Sequence, residues 1–170
     1  MAAAQPISET FEAFFRQFEP RITGYLWRMV NDEGIAADLC QETFLRAWQH
    51  FAEVRAAQHA SSWLFRVATN LALNEIRRRS SRIGGATPIG DDDPAGSDPS
   101  VRFVERDYVQ HILAELPPKQ RALLILREVQ GIPFDEVGTL LGMSHDAAKM
   151  ALCRARVQFR DRYLRKGGRS

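Results

Sequence analysis

Residues 134–156 have the sequence FDEVGTLLGMSHDAAKMALCRAR, which predicts a helix-turn-helix. Apolar residues at helical spacing on both sides of the Gly142 turn can lock two helices together. Ser144 is a favourable N-cap for the second helix, and Asp146 is favourable at its positive end. In this motif the second helix enters the DNA major groove with its N-terminal residues nearest the bases. The alternative is a plain helical hairpin with a basic solvated face.

The rest of the chain has helical patterns on both sides of one polar stretch. Residues 84–100, GGATPIGDDDPAGSDPS, contain four Gly, three Pro and four Asp. Such a segment cannot bury enough apolar surface to offset its ordering entropy, which predicts a flexible acidic linker. Alternating strand patterns are absent elsewhere. We therefore expect an all-α fold with small helical domains at residues 8–83 and 101–166, the second of them the helix-turn-helix domain.

Local patterns in the first of these domains predict its core. Phenylalanines recur at helical spacing from Phe11 to Phe18, and Phe44 and Trp48 extend the apolar pattern of residues 38–51. We expect both Phe44 and Trp48 in the core. Ser61 or Ser62 is expected to N-cap the next helix, which runs to residue 79.

Composition excludes several classes of protein. The 170 residues are 45% hydrophobic and 26% charged, which is ordinary for a globular chain. No apolar run approaches the ~20 residues of a membrane span, and no signal-peptide pattern is present. Two cysteines cannot form a disulfide scaffold, which predicts a cytoplasmic protein. Because no zinc-like spacing, catalytic triad or phosphate loop is found, we expect no metal, cofactor, small-molecule substrate or enzymatic activity.

Charge is segregated along the chain although the formal net charge is only +2. Residues 31–53 hold five acids and one base, and residues 83–100 hold four aspartates and no base. Residues 55–82 hold six arginines and one acid, and residues 145–170 hold eight bases and two acids. Basic blocks attract phosphate backbones, whereas acidic blocks can face basic protein surfaces. The alternative for each block is a solvated helix face.

Residues 63–82 combine aromatic, amide and arginine side chains. Aromatic rings can stack on unpaired bases, amides can pair with base edges, and arginines can hold phosphates. From the residues alone, a core helix with a solvated arginine end is the favoured alternative.

Two sets of motifs resemble bacterial sigma factors of the sigma-70 family. Residues 38–48 (DLCQETFLRAW), 62–70 (SWLFRVATN) and 77–79 (RRR) resemble the second conserved region of that family. Residues 116–121 (LPPKQR), 134–137 (FDEV), 141–144 (LGMS) and 154–156 (RAR) resemble the fourth region. Their order and the acidic linker are similar to the extracytoplasmic-function, or group IV, type.

The resemblance implies a promoter-recognition subunit that binds core RNA polymerase through the β′ clamp helices and the β subunit. The positions matching the clamp-binding surface are Asp38, Gln41, Glu42 and Arg46. The family also opens DNA at the −10 element and captures a flipped base in a loop, which matches residues 53–61. The positions implied at this element are Arg55, Gln58, His59, Trp63, Arg66, Asn70, Asn74, Arg77, Arg78 and Arg79.

The fourth region of the family recognises the −35 element. The implied positions are Arg121, which matches a backbone contact, and Ser144, His145, Asp146, Lys149, Met150, Arg154 and Arg156 of the recognition helix. The family pattern TVKSRL is here AAKMAL at residues 147–152, so Ala147 and Ala151 replace Thr and Arg. Losing an arginine that can make bidentate contacts removes about 1–3 kcal/mol of base discrimination. We therefore expect recognition to depend on Lys149 and its neighbours.

Group IV members usually pair with an anti-sigma factor, so such a partner is expected. Two other classes stay open: a stand-alone helix-turn-helix regulator, and a protein-interaction module that binds no DNA. The match to residues 38–48 argues against the first. The eight basic residues after position 144 argue against the second.

Overall fold

The computed structural model describes residues 7–57, 59–83 and 101–166, and all regular structure in these ranges is helical. The N-terminal half contains α1 (Ile7–Val30), α2 (Glu33–Gln49), α3 (Phe51–Ala56) and α4 (Ala60–Arg82). The C-terminal half contains α5 (Val101–Glu115), α6 (Pro118–Leu124), a π-helical turn (Ile125–Val129), α7 (Phe134–Leu140) and α8 (His145–Arg165). The expected all-α fold is confirmed. The predicted linker, residues 84–100, lies outside the described residues.

The helix-turn-helix is formed by α7 and α8, as predicted. Gly142 has a φ of 64°, a conformation that glycine adopts without steric penalty, so the chain can turn sharply between the helices. Ser144 caps α8, because its hydroxyl accepts the Ala147 N–H at 3.2 Å. The inward stripe of α8 begins with Ala148 and Leu152, which are both buried. This packing fixes which side of α8 faces outward.

The N-terminal half packs α1, α2 and α4 around a shared core. Tyr25 and Phe65 are fully buried, with their rings edge to face at 5.4 Å between centroids. The Tyr25 hydroxyl bonds to Thr69 at 2.7 Å, which satisfies both buried polar groups. Burial raises the pKa of Tyr25 far above its ordinary value, so the phenol stays neutral.

The two halves lie in direct contact and share one hydrophobic cluster. The contact centres on the C-terminal end of α1, where the last carbonyls of a helix lack intrahelical partners, although the Trp27 carbonyl accepts the Asn31 N–H at 2.8 Å. At residues 27–30, Gln110 donates to the first two carbonyls at 3.2 Å each. Arg121 donates to the third, and Arg79 donates to the fourth at 3.3 Å. Side chains distant in sequence therefore complete the end of α1.

Two local expectations are wrong. Trp48 is 46% exposed, at the edge of the α1–α2 packing, whereas Phe44 is buried as predicted. Neither Ser61 nor Ser62 caps α4, which begins at Ala60 without a side-chain cap. None of the helices in the described ranges is long and apolar enough to cross a membrane.

The turn between α1 and α2 gives a first testable prediction. Asp32 N-caps α2 by accepting the Ile35 N–H at 2.9 Å, and Arg79 donates to it at 3.2 Å. The Ile35 N–H, followed by the positive charge of Arg79, lowers the pKa of Asp32 below its ordinary 3.8. We expect Asp32→Ala to lower the free energy of unfolding by about 1 kcal/mol at neutral pH, as measured by chemical denaturation.

Asp32→Asn is the matched control because asparagine caps helices about as well as aspartate. Asp32→Asn should lose only the ion pair, which is half exposed and contributes at most about 1 kcal/mol. A lowered carboxyl pKa stabilises the fold above pH 3.8, and this contribution disappears as the pH falls through the folded-state value. The difference between wild type and Asp32→Asn should therefore vanish below that range. Equal stability of Asp32→Ala and wild type at neutral pH would contradict the cap.

Candidate nucleic-acid interface

The outward face of α8 is basic. Burial of Ala148 and Leu152 on one side leaves Lys149, Met150 and Arg154 exposed on the other. Within the described residues, neither Lys149 nor Arg154 forms an ion pair, so both cations are available to phosphates or bases. This face has the chemistry that a major-groove helix requires.

The other predicted residues of this face are held by neighbours. His145 Nδ1 lies 3.1 Å from the Asp135 carboxylate, and its ring contacts Phe134 edge to face. Arg156 donates through Nε to Glu128 at 3.0 Å. Ser144 and Asp146 are exposed at the start of α8, where Ser144 is already the cap. These contacts position the ends of the basic face.

A second polar face runs along α4. Arg66, Asn70, Asn74 and Arg77 are exposed and separated by three or four residues, so they form one stripe on the helix. The Arg77 Nη1 donates to Asn74 at 3.4 Å. Amides and guanidinium groups along one face can pair with base edges and phosphates.

The next two arginines of α4 have intramolecular partners. Arg78 makes two hydrogen bonds to Glu75, at 2.8 and 2.9 Å, which lower the pKa of Glu75 and raise that of Arg78. Arg79 is half-buried between Asp32 and the last carbonyl of α1. Arg79 therefore ties α4 to α1, a structural role that the run of three arginines did not indicate.

The start of α4 borders a cleft between the two halves of the chain. The cleft has a volume of about 490 Å³, and His59, Trp63 and Arg66 line it together with α7. Ser62 donates to the carboxylate of Glu136 on α7, and His59 Nδ1 lies 3.7 Å from the same carboxylate. Arg55 is exposed nearby, and Gln58 lies outside the described residues.

Arg121 corrects the expectation of an exposed phosphate contact. The residue is 7% exposed, and its guanidinium donates to the carbonyls of Met29, Ala114 and Leu116. Burial lowers the pKa of Arg121 to about 10, so it remains a cation at neutral pH. Its charge faces the C-terminal ends of α1 and α5, where a cation is favourable. In this arrangement Arg121 cannot contact DNA.

The outward face of α2 carries the four predicted polar residues and two large apolar ones. Asp38, Gln41 and Arg46 are exposed, and Glu42 bonds to Arg46 at 2.8 Å. Leu45 is 53% exposed and Trp48 is 46% exposed on the same helix. Sequence reasoning missed both, although their spacing from Gln41 and Glu42 places them on the same face. A mixed acidic and apolar face is typical of protein interfaces.

A helix-turn-helix with a basic outward face, joined to a second polar helix face and an acidic helix, defines a DNA-binding protein with a protein partner.

Residues 14–82 match the Sigma-70 region 2 family, and residues 106–159 match the Sigma-70, region 4 family. The RNA polymerase sigma factor CarQ of Myxococcus xanthus is 33% identical over 159 residues, covering 90% of this chain and 88% of CarQ. The ECF RNA polymerase sigma factor SigE of Mycolicibacterium smegmatis is 31% identical over 169 residues, covering 96% of this chain and 64% of SigE.

The fold is also found in a solved structure, the co-crystal of sigma factor RpoE with anti-sigma factor NepR from Bartonella quintana. The TM-score is 0.76 at 18% identity, covering 92% of this chain and 98% of that chain. The chain belongs to the sigma-70 family of RNA polymerase sigma factors, in its extracytoplasmic-function branch. It acts in promoter-specific initiation of transcription, and its partners are core RNA polymerase and promoter DNA.

Proposed function

We propose that the three outward faces divide the work of initiation between them. The N-terminal half (residues 8–83) engages core polymerase and the −10 element, and the C-terminal half (residues 101–166) recognises the −35 element. The observation that supports this most directly is the basic face of α8, where Lys149 and Arg154 are exposed opposite a buried inward stripe.

The face of α2 is assigned to the β′ clamp helices of core polymerase. Asp38, Gln41, Glu42 and Arg46 supply charge and hydrogen bonds, and Leu45 and Trp48 supply apolar area. Aromatic residues surrounded by polar groups are frequent among the residues that dominate binding energy.

The stripe on α4 and the preceding loop are assigned to the −10 element. His59 and Trp63 line the cleft that a flipped base would enter, Arg55 is exposed on the preceding helix α3, and the stripe from Arg66 to Arg77 would follow the strand. Flipping a base costs a few kcal/mol, which stacking on an aromatic side chain and contacts to phosphates must offset.

The remaining assignments follow from the family. The chain is not an enzyme and works in the cytoplasm, where its polymerase partner is. An anti-sigma factor regulates it, by extension from RpoE of Bartonella quintana, which was crystallised in complex with the anti-sigma factor NepR.

Transcription from core polymerase tests the assignment of α8. We expect Lys149→Ala/Arg154→Ala to reduce transcripts from promoters with a −35 element by about tenfold or more, because each contact supplies about 1–3 kcal/mol. The measurement is run-off transcription with purified core polymerase, starting from a randomised promoter pool so that the preferred −35 sequence is found first.

The control removes two positive charges elsewhere in the same half. Lys119 and Arg165 are exposed and lie outside the predicted contacts, so Lys119→Ala/Arg165→Ala should retain most of the transcription. If wild type transcribes promoters with and without a −35 element equally well, the assignment of α8 is wrong.

A further inference from the structure

We propose that α7 competes with promoter DNA for the −10 site, so that the contact between the two halves holds the free chain in an inhibited state. This inference rests on the proposed assignment of the α4 face. It adds an internal occupant of that site, the carboxylate of Glu136.

The contact places an acid where the DNA is expected. Glu136 accepts a hydrogen bond from Ser62, and its carboxylate lies 3.7 Å from the ring of His59. Trp63 and Arg66 line the same cleft. A carboxylate beside these groups repels phosphates and occupies hydrogen-bonding groups at the mouth of the site. DNA in this cleft and α7 in its present position therefore exclude each other.

Further contacts between the two halves reinforce the contact between α7 and α4. Gln110 and Arg121 of the C-terminal half donate hydrogen bonds to backbone carbonyls at the end of α1, and Arg121 is buried there. The halves also share one hydrophobic cluster. These contacts lie away from the cleft and act together with the Glu136 contact to hold α7 against the start of α4.

The consequence is a coupling between opening and DNA binding. DNA that binds only the open form, in which α7 has left the start of α4, shifts the equilibrium toward that form. The apparent affinity for DNA equals the intrinsic affinity multiplied by the fraction of chain in the open form. Weakening the Glu136 contact should therefore raise the affinity for DNA and separate the halves in the same variant.

Glu136→Gln and Asp135→Asn form a matched pair. Both remove one negative charge from the first turn of α7 and from the same cleft. Of these two carboxylates, that of Glu136 is the one bonded to the N-terminal half in the described residues, whereas that of Asp135 lies 3.1 Å from His145 Nδ1. Asp135→Asn thus measures the general effect on DNA affinity of removing an acid near the DNA. Any larger increase in Glu136→Gln is due to loss of the Glu136 contact with α4.

Two readouts on the full-length chain test the proposal. The first is the affinity for a labelled pool of short random-sequence single-stranded DNA, which should rise about threefold to tenfold more in Glu136→Gln than in Asp135→Asn. The second is energy transfer between dyes on exposed Cys153 and on Gln49→Cys, in a Cys40→Ser background. Transfer should fall in Glu136→Gln and stay at the starting level in Asp135→Asn.

Ser62→Ala removes the same hydrogen bond from the other side and is scored by energy transfer alone, with circular dichroism confirming that each variant folds. The proposal is overturned if Glu136→Gln matches Asp135→Asn in both readouts, or if only one of the two readouts changes. Transcription by wild type with core polymerase is measured in parallel. Its absence would reject the proposed function, while the energy-transfer comparison would still report on the contact.

Discussion

Arg121→Ala is expected to lower the free energy of unfolding by about 3 kcal/mol. The guanidinium donates to the carbonyls of Met29, Ala114 and Leu116 and is itself buried. A buried acceptor left without a donor costs about 1–3 kcal/mol. Chemical denaturation followed by far-UV circular dichroism measures the change.

Two further variants make this result specific. Lys119→Ala removes an exposed cation two residues away on the same helix and should change stability by no more than about 0.5 kcal/mol. Arg121→Lys keeps the charge but lacks the planar guanidinium that reaches two helix ends. Its free energy of unfolding should therefore lie between those of Arg121→Ala and Lys119→Ala. If Arg121→Ala is as stable as Lys119→Ala, these hydrogen bonds do not support the interface.

Reversing two charges on α2 is expected to reduce the affinity for core polymerase by at least about a hundredfold. Asp38 and Glu42 lie one turn apart on the exposed face, beside Leu45 and Trp48. Asp38→Arg/Glu42→Arg places like charges against a basic partner surface, and such juxtaposition costs several kcal/mol. Affinity measured by fluorescence anisotropy of the labelled chain with core polymerase gives the result.

The control reverses two exposed acids that lie away from α2. Glu12 is on α1 and Glu105 is on α5, and Glu12→Arg/Glu105→Arg makes the same change in net charge. This variant should bind core polymerase within a few-fold of wild type. Equal affinity of both double variants would remove α2 from the polymerase interface.

Features fixed by local spacing could be predicted from the sequence. The turn at Gly142, the cap at Ser144 and the inward stripe beginning at Ala148 all depend on residues within two helical turns. Helical periodicity and capping chemistry operate over that distance, so the helix-turn-helix is confirmed in detail.

Features that depend on distant partners could not be predicted in this way. Arg121 bonds to a carbonyl 92 residues away, and Ser62 bonds to an acid 74 residues away. The family resemblance implied a phosphate contact for Arg121, and the local sequence pattern predicted a helix cap for Ser62. Trp48 continues an apolar helical pattern, but it lies at the rim of the core and stays about half exposed. The assignment of the DNA-binding and polymerase-binding residues stays a prediction.

The end of α1 limits how this protein can be recombined with its relatives. Gln110, Arg121 and Arg79 donate hydrogen bonds to the last four carbonyls of α1. Gln110 and Arg121 come from the C-terminal half. A chimera that joins this N-terminal half to another C-terminal half keeps the helix but loses its distant donors unless the new sequence supplies an amide and a guanidinium at matching places. A chimera built for altered promoter choice would therefore exchange the exposed face of α8 and retain α5 and α6 from this chain.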